Sequence, residues 1–229
     1  MENDLATMNN IHDEIISIKK QMGQKLVILG HHYQRPSVLQ YADEIGDSLE
    51  LSRKVITKDK AEKIVFCGVR FMAESAAILA KSNQIVYMPD ITAGCPMANM
   101  ADVPSFVKAM TFLKESWWGE WVPVLYVNSS AELKGICGSM GGITCTSSNA
   151  IKVINWVLMS GKKVLFLPDE HLGRNTAYAM GIKENEIVVY DPLQENGGLT
   201  QISNAQNIKM ILWKGFCIVH KKFTINDVL

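Results

Sequence analysis

Short apolar segments that end at a turn residue recur along the sequence and restrict the fold more than any other feature. Residues 26–30 (LVILG) are apolar without interruption and end at a glycine, and residues 64–68 (IVFCG) repeat the pattern. A strand buried on both faces of a parallel sheet has this composition, because neither face meets water. Similar segments lie at residues 85–88, 122–127, 164–167, 187–190 and 208–213. The sequence therefore predicts an α/β fold with parallel sheets.

Helical signals separate the predicted strands. Residues 11–22 place Ile and Met at the spacing of one helix face, which predicts an opening amphipathic helix. Asp47 can cap a second helix, and Glu50 lies three residues further on, as in a capping box. Residues 146–149 (TSSN) precede a helix of the second half in the same way. Polar helix starts therefore follow the buried strands in both halves of the chain.

The order of these elements repeats. Both halves run through strand, capped helix, strand, helix and strand, and each closes with a glycine-cysteine turn, at Cys95 and Cys217. We expect three-layer αβα units with short parallel sheets that are related by internal pseudo-symmetry. The predicted first unit, residues 1–102, includes the N-terminal helix, and the predicted second unit is residues 103–220.

Charge and hydropathy patterns exclude several classes of partner. The chain has 229 residues, and its 23 basic residues balance its 23 acidic residues without a basic cluster. Neither nucleic acid nor an anionic membrane is therefore expected as a partner. The first ten residues lack the basic start and apolar stretch of a signal peptide, and no apolar segment approaches the ~20 residues that span a bilayer. These features predict a cytoplasmic protein.

The five cysteines fall into three groups. Cys67 lies inside an apolar strand, where a small core residue is expected. Cys137 and Cys145 flank a GSMGG segment that is similar to a phosphate loop but lacks its Lys-Ser/Thr ending. Cys95 and Cys217 each follow a glycine in a turn beyond a predicted strand. We expect these two thiolates to bind one soft metal centre, for which an iron or zinc site needs further ligands.

Polar residues cluster where the predicted strands end. Ligands of open parallel sheets bind at the carboxyl ends of the strands, where helix N-termini and loops converge. Two helix starts with hydroxyl groups suit an anionic substrate such as a carboxylate or a phosphate, although the serines there could simply cap their helices. Adjacent histidines could be ligands, acid–base groups or packed residues, and His171 and His220 could be site or loop residues. The candidates are His31, His32, Tyr33, Ser48, Tyr126, Val127, Asn128 and Ser147.

Several of these segments together resemble the successive motifs of the quinolinate synthase family. The resemblance runs in order from about residue 26 to the C-terminus, and each motif alone would be a weak signal. The matching segments are residues 30–34 (GHHYQ), 46–51 (GDSLEL), 71–74 (FMAE), 94–98 (GCPMA), 126–128 (YVN), 146–150 (TSSNA) and 215–220 (GFCIVH).

The resemblance implies an enzyme of de novo NAD biosynthesis that condenses iminoaspartate with dihydroxyacetone phosphate to give quinolinate, phosphate and water. Members of the family hold a 4Fe-4S cluster through three cysteines, with one iron open to act as a Lewis acid. The resemblance makes Cys95 and Cys217 two of these ligands. It implies a catalytic role for Tyr33, which matches a proton-transferring tyrosine, and for His31. The substrate-binding positions that it implies are His31, Ser48, Tyr126, Val127, Asn128 and Ser147.

The resemblance covers two of the family's three α/β units. Residues 221–229 match the start of the third unit, which supplies the third cysteine, so the resemblance implies a truncated chain or a separate chain that supplies this unit. One alternative is a cluster-free α/β module that binds a small dicarboxylate or phosphate. Another is a structural protein stabilised by zinc.

Overall fold

The computed structural model describes residues 2–116, 119–200 and 205–227, with the backbone alone for residues 2–9. The chain divides into two compact units, residues 1–94 and 95–229. The described α-helices are α1 Glu2–Met22, α2 Pro36–Leu39, α3 Ser48–Thr57, α4 Arg70–Leu79, α5 Val103–Glu115, α6 Ala131–Ser139, α7 Ala150–Met159 and α8 Glu170–Ala179. The described strands are β1 Leu26–His31, β2 Glu44–Gly46, β3 Lys63–Cys67, β4 Ile85–Tyr87, β5 Trp121–Tyr126, β6 Ile143–Cys145, β7 Lys163–Leu167, β8 Ile187–Tyr190 and β9 Met210–Trp213.

The first unit contains a four-stranded sheet in the order β2-β1-β3-β4, and all of its strand pairs are parallel. Leu29 and Phe66 are paired in register and fully buried, and Met72 of α4 lies beside Phe66 on that face. On the other face, α1 and α2 border an apolar cavity of about 370 Å³ whose walls include Ile28 and Cys67. Helices therefore lie over both faces of this sheet.

The second unit contains a five-stranded parallel sheet in the order β6-β5-β7-β9-β8. Residues of β5, β7, β8 and β9 divide between two separate hydrophobic clusters, and β6 contributes to one of them. Phe106 of α5 and Leu133 of α6 belong to one cluster, and Ile154 of α7 and Ala177 of α8 belong to the other. Because the helix pairs cover opposite faces, the unit has three layers. The predicted α/β class with parallel sheets is confirmed.

The two sheets share the order of their first three positions, which are the second, first and third strands of each unit, and in the second sheet β9 lies between β7 and the outer strand β8. Two short strands, β2 and β6, and the helices α2 and α6 were not predicted from the sequence. The predicted unit boundaries, after residues 102 and 220, stay predictions. Residues 221–229 are predicted to begin a third unit, and the last two of them, residues 228–229, lie outside the described residues.

Among the described residues, no helix combines the length and the apolar character that crossing a bilayer requires.

Helix α8 packs closely on its sheet at Gly173, and a substitution at this residue tests the contact. A Cβ atom at Gly173 would lie 2.7 Å from Leu212 Cδ2 and from Phe166 Cδ1. We expect Gly173→Ala to lower the free energy of unfolding by about 1–3 kcal/mol, because the core must shift to accept the methyl group. Urea denaturation followed by tryptophan fluorescence measures this unit, since all five tryptophans belong to residues 95–229.

Gly135→Ala is the matched control. Gly135 lies in α6, and a Cβ atom there would meet nothing within 4 Å. This substitution should raise the free energy of unfolding by up to about 1 kcal/mol, because alanine favours the helix over glycine. Equal urea midpoints for the two variants would contradict the close approach of α8 to the sheet.

Candidate active site

His31 is the last residue of β1 and is 6% exposed. Its Nδ1 atom accepts a hydrogen bond from the backbone N–H of Tyr33 at 3.4 Å. The His32 ring stacks on the His31 ring with 4.5 Å between centroids. A neutral imidazole that accepts at Nδ1 carries its proton on Nε2. His31 therefore offers one N–H donor at the carboxyl end of the strand.

His32 connects the end of β1 to the turn that begins α3. Its backbone N–H and its Nδ1 atom both donate to the carbonyl of Gly46, at 3.2 and 3.0 Å. Asp47 caps α3 by accepting a hydrogen bond from the backbone N–H of Glu50 at 2.9 Å. Because Asp47 fills the capping position, the simple interpretation of Ser48 as the helix cap is wrong.

The predicted residues of the first unit differ in their exposure. Tyr33 is 79% exposed, whereas His31 is buried beneath it. Burial is the main reason that the pKa of His31 is lowered, and the neighbouring His32 lowers it further, while Asp47 opposes the shift. His31 is therefore neutral at pH 7, which suits a hydrogen-bond donor rather than a fixed positive charge.

Tyr126 ends β5 in the second unit, and its phenol is hydrogen bonded to the hydroxyl of Ser147. Burial raises the pKa of Tyr126 to about 12, and the negative charge of Asp169 adds to the shift. The hydrogen bond from Ser147 acts in the opposite direction. The structure thus brings together two residues that the sequence predicted from separate segments, and the phenol keeps its proton at neutral pH.

Asn128 lies two residues beyond Tyr126 and carries an unusual polar atom. Its side-chain oxygen is buried and accepts no hydrogen bond from the described residues. Buried polar atoms are nearly always paired, so an unpaired one calls for a ligand or an ordered water. Val127 has a buried side chain, and its backbone N–H donates to the carbonyl of Cys145 at 2.8 Å. This bond holds the segment of Asn128 against the end of β6.

The start of α7 lacks a side-chain cap. Asn149 occupies the capping position but makes no capping hydrogen bond, and its oxygen instead accepts from the backbone N–H of Thr146 at 2.7 Å. Ser147 is exposed at this turn and bonds to Tyr126, so it does not cap the helix either. Uncapped N–H groups at a helix start suit a carboxylate or a phosphate.

Cys95 and Cys217 lie close together in the second unit. The proximity of Cys217 contributes to a raised pKa of the Cys95 thiol, for which burial is the main cause. The backbone N–H groups of Ala98 and Met97 bond to the Cys95 sulfur and oppose that shift. Two adjacent thiolates repel each other unless a cation lies between them, and sulfur that accepts N–H bonds is common in metal–thiolate sites. The donor set therefore fits a soft metal.

The loop of Cys95 and the turn of Cys217 are joined through Met100. The carbonyl of Met100 accepts a hydrogen bond from Nε1 of the fully buried Trp213 at 2.7 Å. The backbone N–H of Phe216 bonds to the Met100 sulfur at 3.3 Å. A Cβ atom at Gly215 would lie 2.2 Å from the carbonyl oxygen of Pro168, so only glycine fits there. These contacts explain why two cysteines far apart in sequence meet.

The other cysteines lie elsewhere. Burial raises the pKa of both Cys137 and Cys145 to about 12, which keeps these thiols protonated. Cys67 is half-buried beside the apolar cavity of the first unit. The glycine-rich segment after Cys137 ends α6 and leads into the start of β6, away from the carboxyl ends of the strands. In the part of the chain that the structure describes, no three His, Cys, Asp or Glu residues group as a metal site.

Some residues of the site were missed by sequence reasoning. Asp169, Met100 and Trp213 fix the geometry, but each resembles an ordinary cap or core residue in the sequence. His171 lies exposed in the first turn of α8 rather than in a loop, and His220 is exposed as well.

Comparison with known proteins identifies the family. The profile described as NadA, quinolinate synthetase A protein, matches residues 13–229. The chain belongs to the quinolinate synthase family. It is 48% identical over 224 residues to the quinolinate synthase of Corynebacterium glutamicum, covering 97% of this chain and 57% of that protein. The matches to the quinolinate synthases of Bacillus subtilis (46%, covering 96% and 59%) and Streptomyces coelicolor (49%, covering 92% and 54%) are similar. The chain spans little more than half the length of these relatives.

Because His31 is buried, the stability of this quinolinate synthase family member should depend on pH. Because its pKa is lowered in the folded state, the unfolded chain takes up a proton more readily once the pH falls below about 6.5. The folded state with a neutral His31 therefore has its full stability above that pH and loses stability as the pH falls through the lowered pKa of His31. His31→Gln should therefore flatten the decrease in thermal stability between about pH 7.5 and 5. Circular dichroism measures the thermal stability at each pH, and His220→Gln is the control because His220 is exposed. Identical pH profiles for wild type and His31→Gln would contradict the prediction.

The turn of Cys217 offers a second test. Gly215→Ala should lower the free energy of unfolding by about 1–3 kcal/mol, because its methyl group clashes with the Pro168 carbonyl. It should also speed the modification of Cys217 by a thiol reagent, mapped by mass spectrometry. Gly135→Ala should leave that rate unchanged. A wild-type rate in Gly215→Ala would show that the turn does not depend on this close contact.

Proposed function

We propose that this chain forms the iminoaspartate and dihydroxyacetone phosphate site of a quinolinate synthase in de novo NAD biosynthesis, a transferase-type enzyme that condenses and dehydrates these substrates. The observation that carries the proposal is the meeting of Cys95 and Cys217 in a unit whose strand ends also hold Tyr126 and Ser147. Family membership over residues 13–229 supports it. The expected ligands are small molecules rather than nucleic acid, in the cytoplasm.

We propose that Cys95 and Cys217 bind a 4Fe-4S cluster. Their sulfur atoms are soft donors, and the N–H bonds from Met97 and Ala98 stabilise a thiolate at Cys95. When bound, such a cluster supplies a Lewis acid toward substrate oxygen. The partly accessible cysteine pair fits this group better than the protonated core thiols Cys137 and Cys145.

The remaining candidates suit an anionic, oxygen-rich substrate. His31 offers a neutral N–H donor, and Tyr126 offers a phenol proton. The unpaired oxygen of Asn128 would accept a hydrogen bond from a substrate hydroxyl or amine group. Ser48 and Ser147 lie at helix starts without serving as caps. Asp47 already caps α3, whereas the uncapped start of α7 is left to favour negative charge. Val127 contributes through its backbone, and the exposed Tyr33 would transfer a proton beside His31.

We further propose that a third α/β unit supplies the remaining cluster ligand, either in the same polypeptide or as a separate chain. Two thiolates leave a cluster with fewer protein ligands than the three that the family resemblance implies. The relatives extend well beyond the matched region, since the match covers 54–59% of the three relatives compared above.

A reconstitution experiment tests this function. The chain is fused to the part of the Bacillus subtilis relative that lies beyond the match, and the fusion is purified without oxygen. The expected product is a brown protein with matching iron and sulfide that forms quinolinate from iminoaspartate and dihydroxyacetone phosphate. A colourless fusion without activity contradicts the proposal, and zinc without iron or sulfide identifies a structural zinc site instead.

Cysteine variants of the fusion assign the ligands. Cys95→Ser and Cys217→Ser should each lower the iron content and reduce quinolinate formation by at least about a hundredfold, because each removes a ligand. Cys67→Ser is the matched control, since Cys67 belongs to the first unit and lies beside the apolar cavity. A fusion that keeps its iron in Cys95→Ser and in Cys217→Ser would overturn the ligand assignment.

A further inference from the structure

Asp169 occupies a position at the strand ends of the second unit that the family resemblance does not assign. Leu125 of β5 pairs with Leu167 of β7, so Tyr126 and Asp169 both lie just beyond this pair, at the same edge of the sheet. Asp169 is only 5% exposed. A buried carboxylate is costly unless hydrogen bonds or opposite charges stabilise it.

The carboxylate is held by the start of α8. Its Oδ1 atom accepts hydrogen bonds from the backbone N–H groups of His171 at 3.0 Å and Leu172 at 3.1 Å. The positive end of the helix stabilises the charge in the same place. Asp169 therefore fixes residues 168–170 against the first turn of α8.

The same three residues hold the turn of Cys217. The backbone N–H of Glu170 donates to the carbonyl of Gly215 at 2.9 Å. Pro168 lies so close to Gly215 that a side chain at that position would clash with its carbonyl. The position of Cys217 thus depends on the segment that Asp169 caps.

Asp169 also acts on Tyr126 through its charge. The groups that influence the phenol are Asp169, Ser147, Cys145 and Cys95, and Asp169 has the largest effect among them. The hydrogen bond with Ser147 lowers the pKa of the phenol and so opposes the effect of Asp169. The buried Asp169 carboxylate thus acts on the phenol through its charge and caps the segment that holds the Cys217 turn.

We propose that Asp169 is a positioning residue that links the Tyr126 phenol to the Cys217 turn through the capped segment 168–170. The use of this link in catalysis rests on the proposed function, but the link itself needs neither substrate nor cluster to be measured. Asp169→Ala removes both the cap and the charge. Asp169→Asn keeps an oxygen that accepts the two N–H bonds and removes only the charge.

Amide hydrogen exchange, followed by NMR on the full chain, tests the link to the cysteine turn. In Asp169→Ala, the Glu170 and Phe216 amides should exchange about tenfold faster or more, because the Gly215 carbonyl that Glu170 binds and Phe216 itself lie in the turn that loses support. Asp169→Asn should restore wild-type protection. Ser130→Ala is the matched control, because Ser130 caps α6 in the same unit through the N–H of Leu133. Unchanged protection in Asp169→Ala, or an equal loss in Ser130→Ala, overturns the proposal.

The link to the phenol has its own spectroscopic test. Tyrosine labelled with ¹³C at Cζ reports ionisation, and Tyr126→Phe assigns the signal. The Tyr126 signal should titrate about one pH unit lower in Asp169→Asn than in wild type, because a nearby negative charge is gone. If Asp169→Asn does not fold, Asp169→Ser keeps an acceptor for the helix and takes its place. Titration at the wild-type pH overturns this half of the proposal, whether or not a fusion makes quinolinate.

Discussion

Parallel hydrogen bonding between strands is the constraint on which the rest of this structure depends. Every strand pair in the described residues is parallel, so within each sheet the strands end at one edge. The strand ends and loops at that edge carry His31 in the first unit and Tyr126, Asn128 and Asp169 in the second. Antiparallel pairing would have divided the same residues between opposite edges. The arrangement therefore concentrates polar groups without long connections.

The cysteine pair adds a second requirement, which is met by packing rather than by strand order. Cys95 and Cys217 are separated by most of the second unit in sequence, and Met100 joins their loops by accepting hydrogen bonds from Trp213 and Phe216. The buried indole makes this contact rigid, because Trp213 also stacks on Tyr190 with 5.2 Å between ring centroids. A hydrophobic core residue thus has a direct effect on the geometry of the thiols.

Much of this fold follows from local sequence signals, and the rest depends on long-range contacts. The apolar segments predict β1 and β5 because burial on both faces leaves a strong signal, and Asp47 predicts the start of α3. The strands β2 and β6 have three residues each, which is too short for a period to show. Helix α6 carries two glycines, so its sequence resembles a loop. Asp169 looks like an ordinary helix cap, and only the pairing of β5 with β7 places it near Tyr126.

The two thiols of the core influence how a metal would be delivered to this protein. Cys137 and Cys145 are buried and hold their protons up to about pH 12, whereas Cys95 and Cys217 are partly accessible. Thiolates rather than thiols react with metals and oxidants. A carrier that offers iron, or an oxidant that reaches the folded chain, therefore meets Cys95 and Cys217 as neighbouring, partly accessible sulfur atoms rather than the two core thiols of the same unit, while the half-buried Cys67 belongs to the first unit. Selectivity among chemically identical side chains arises here from differences in solvation.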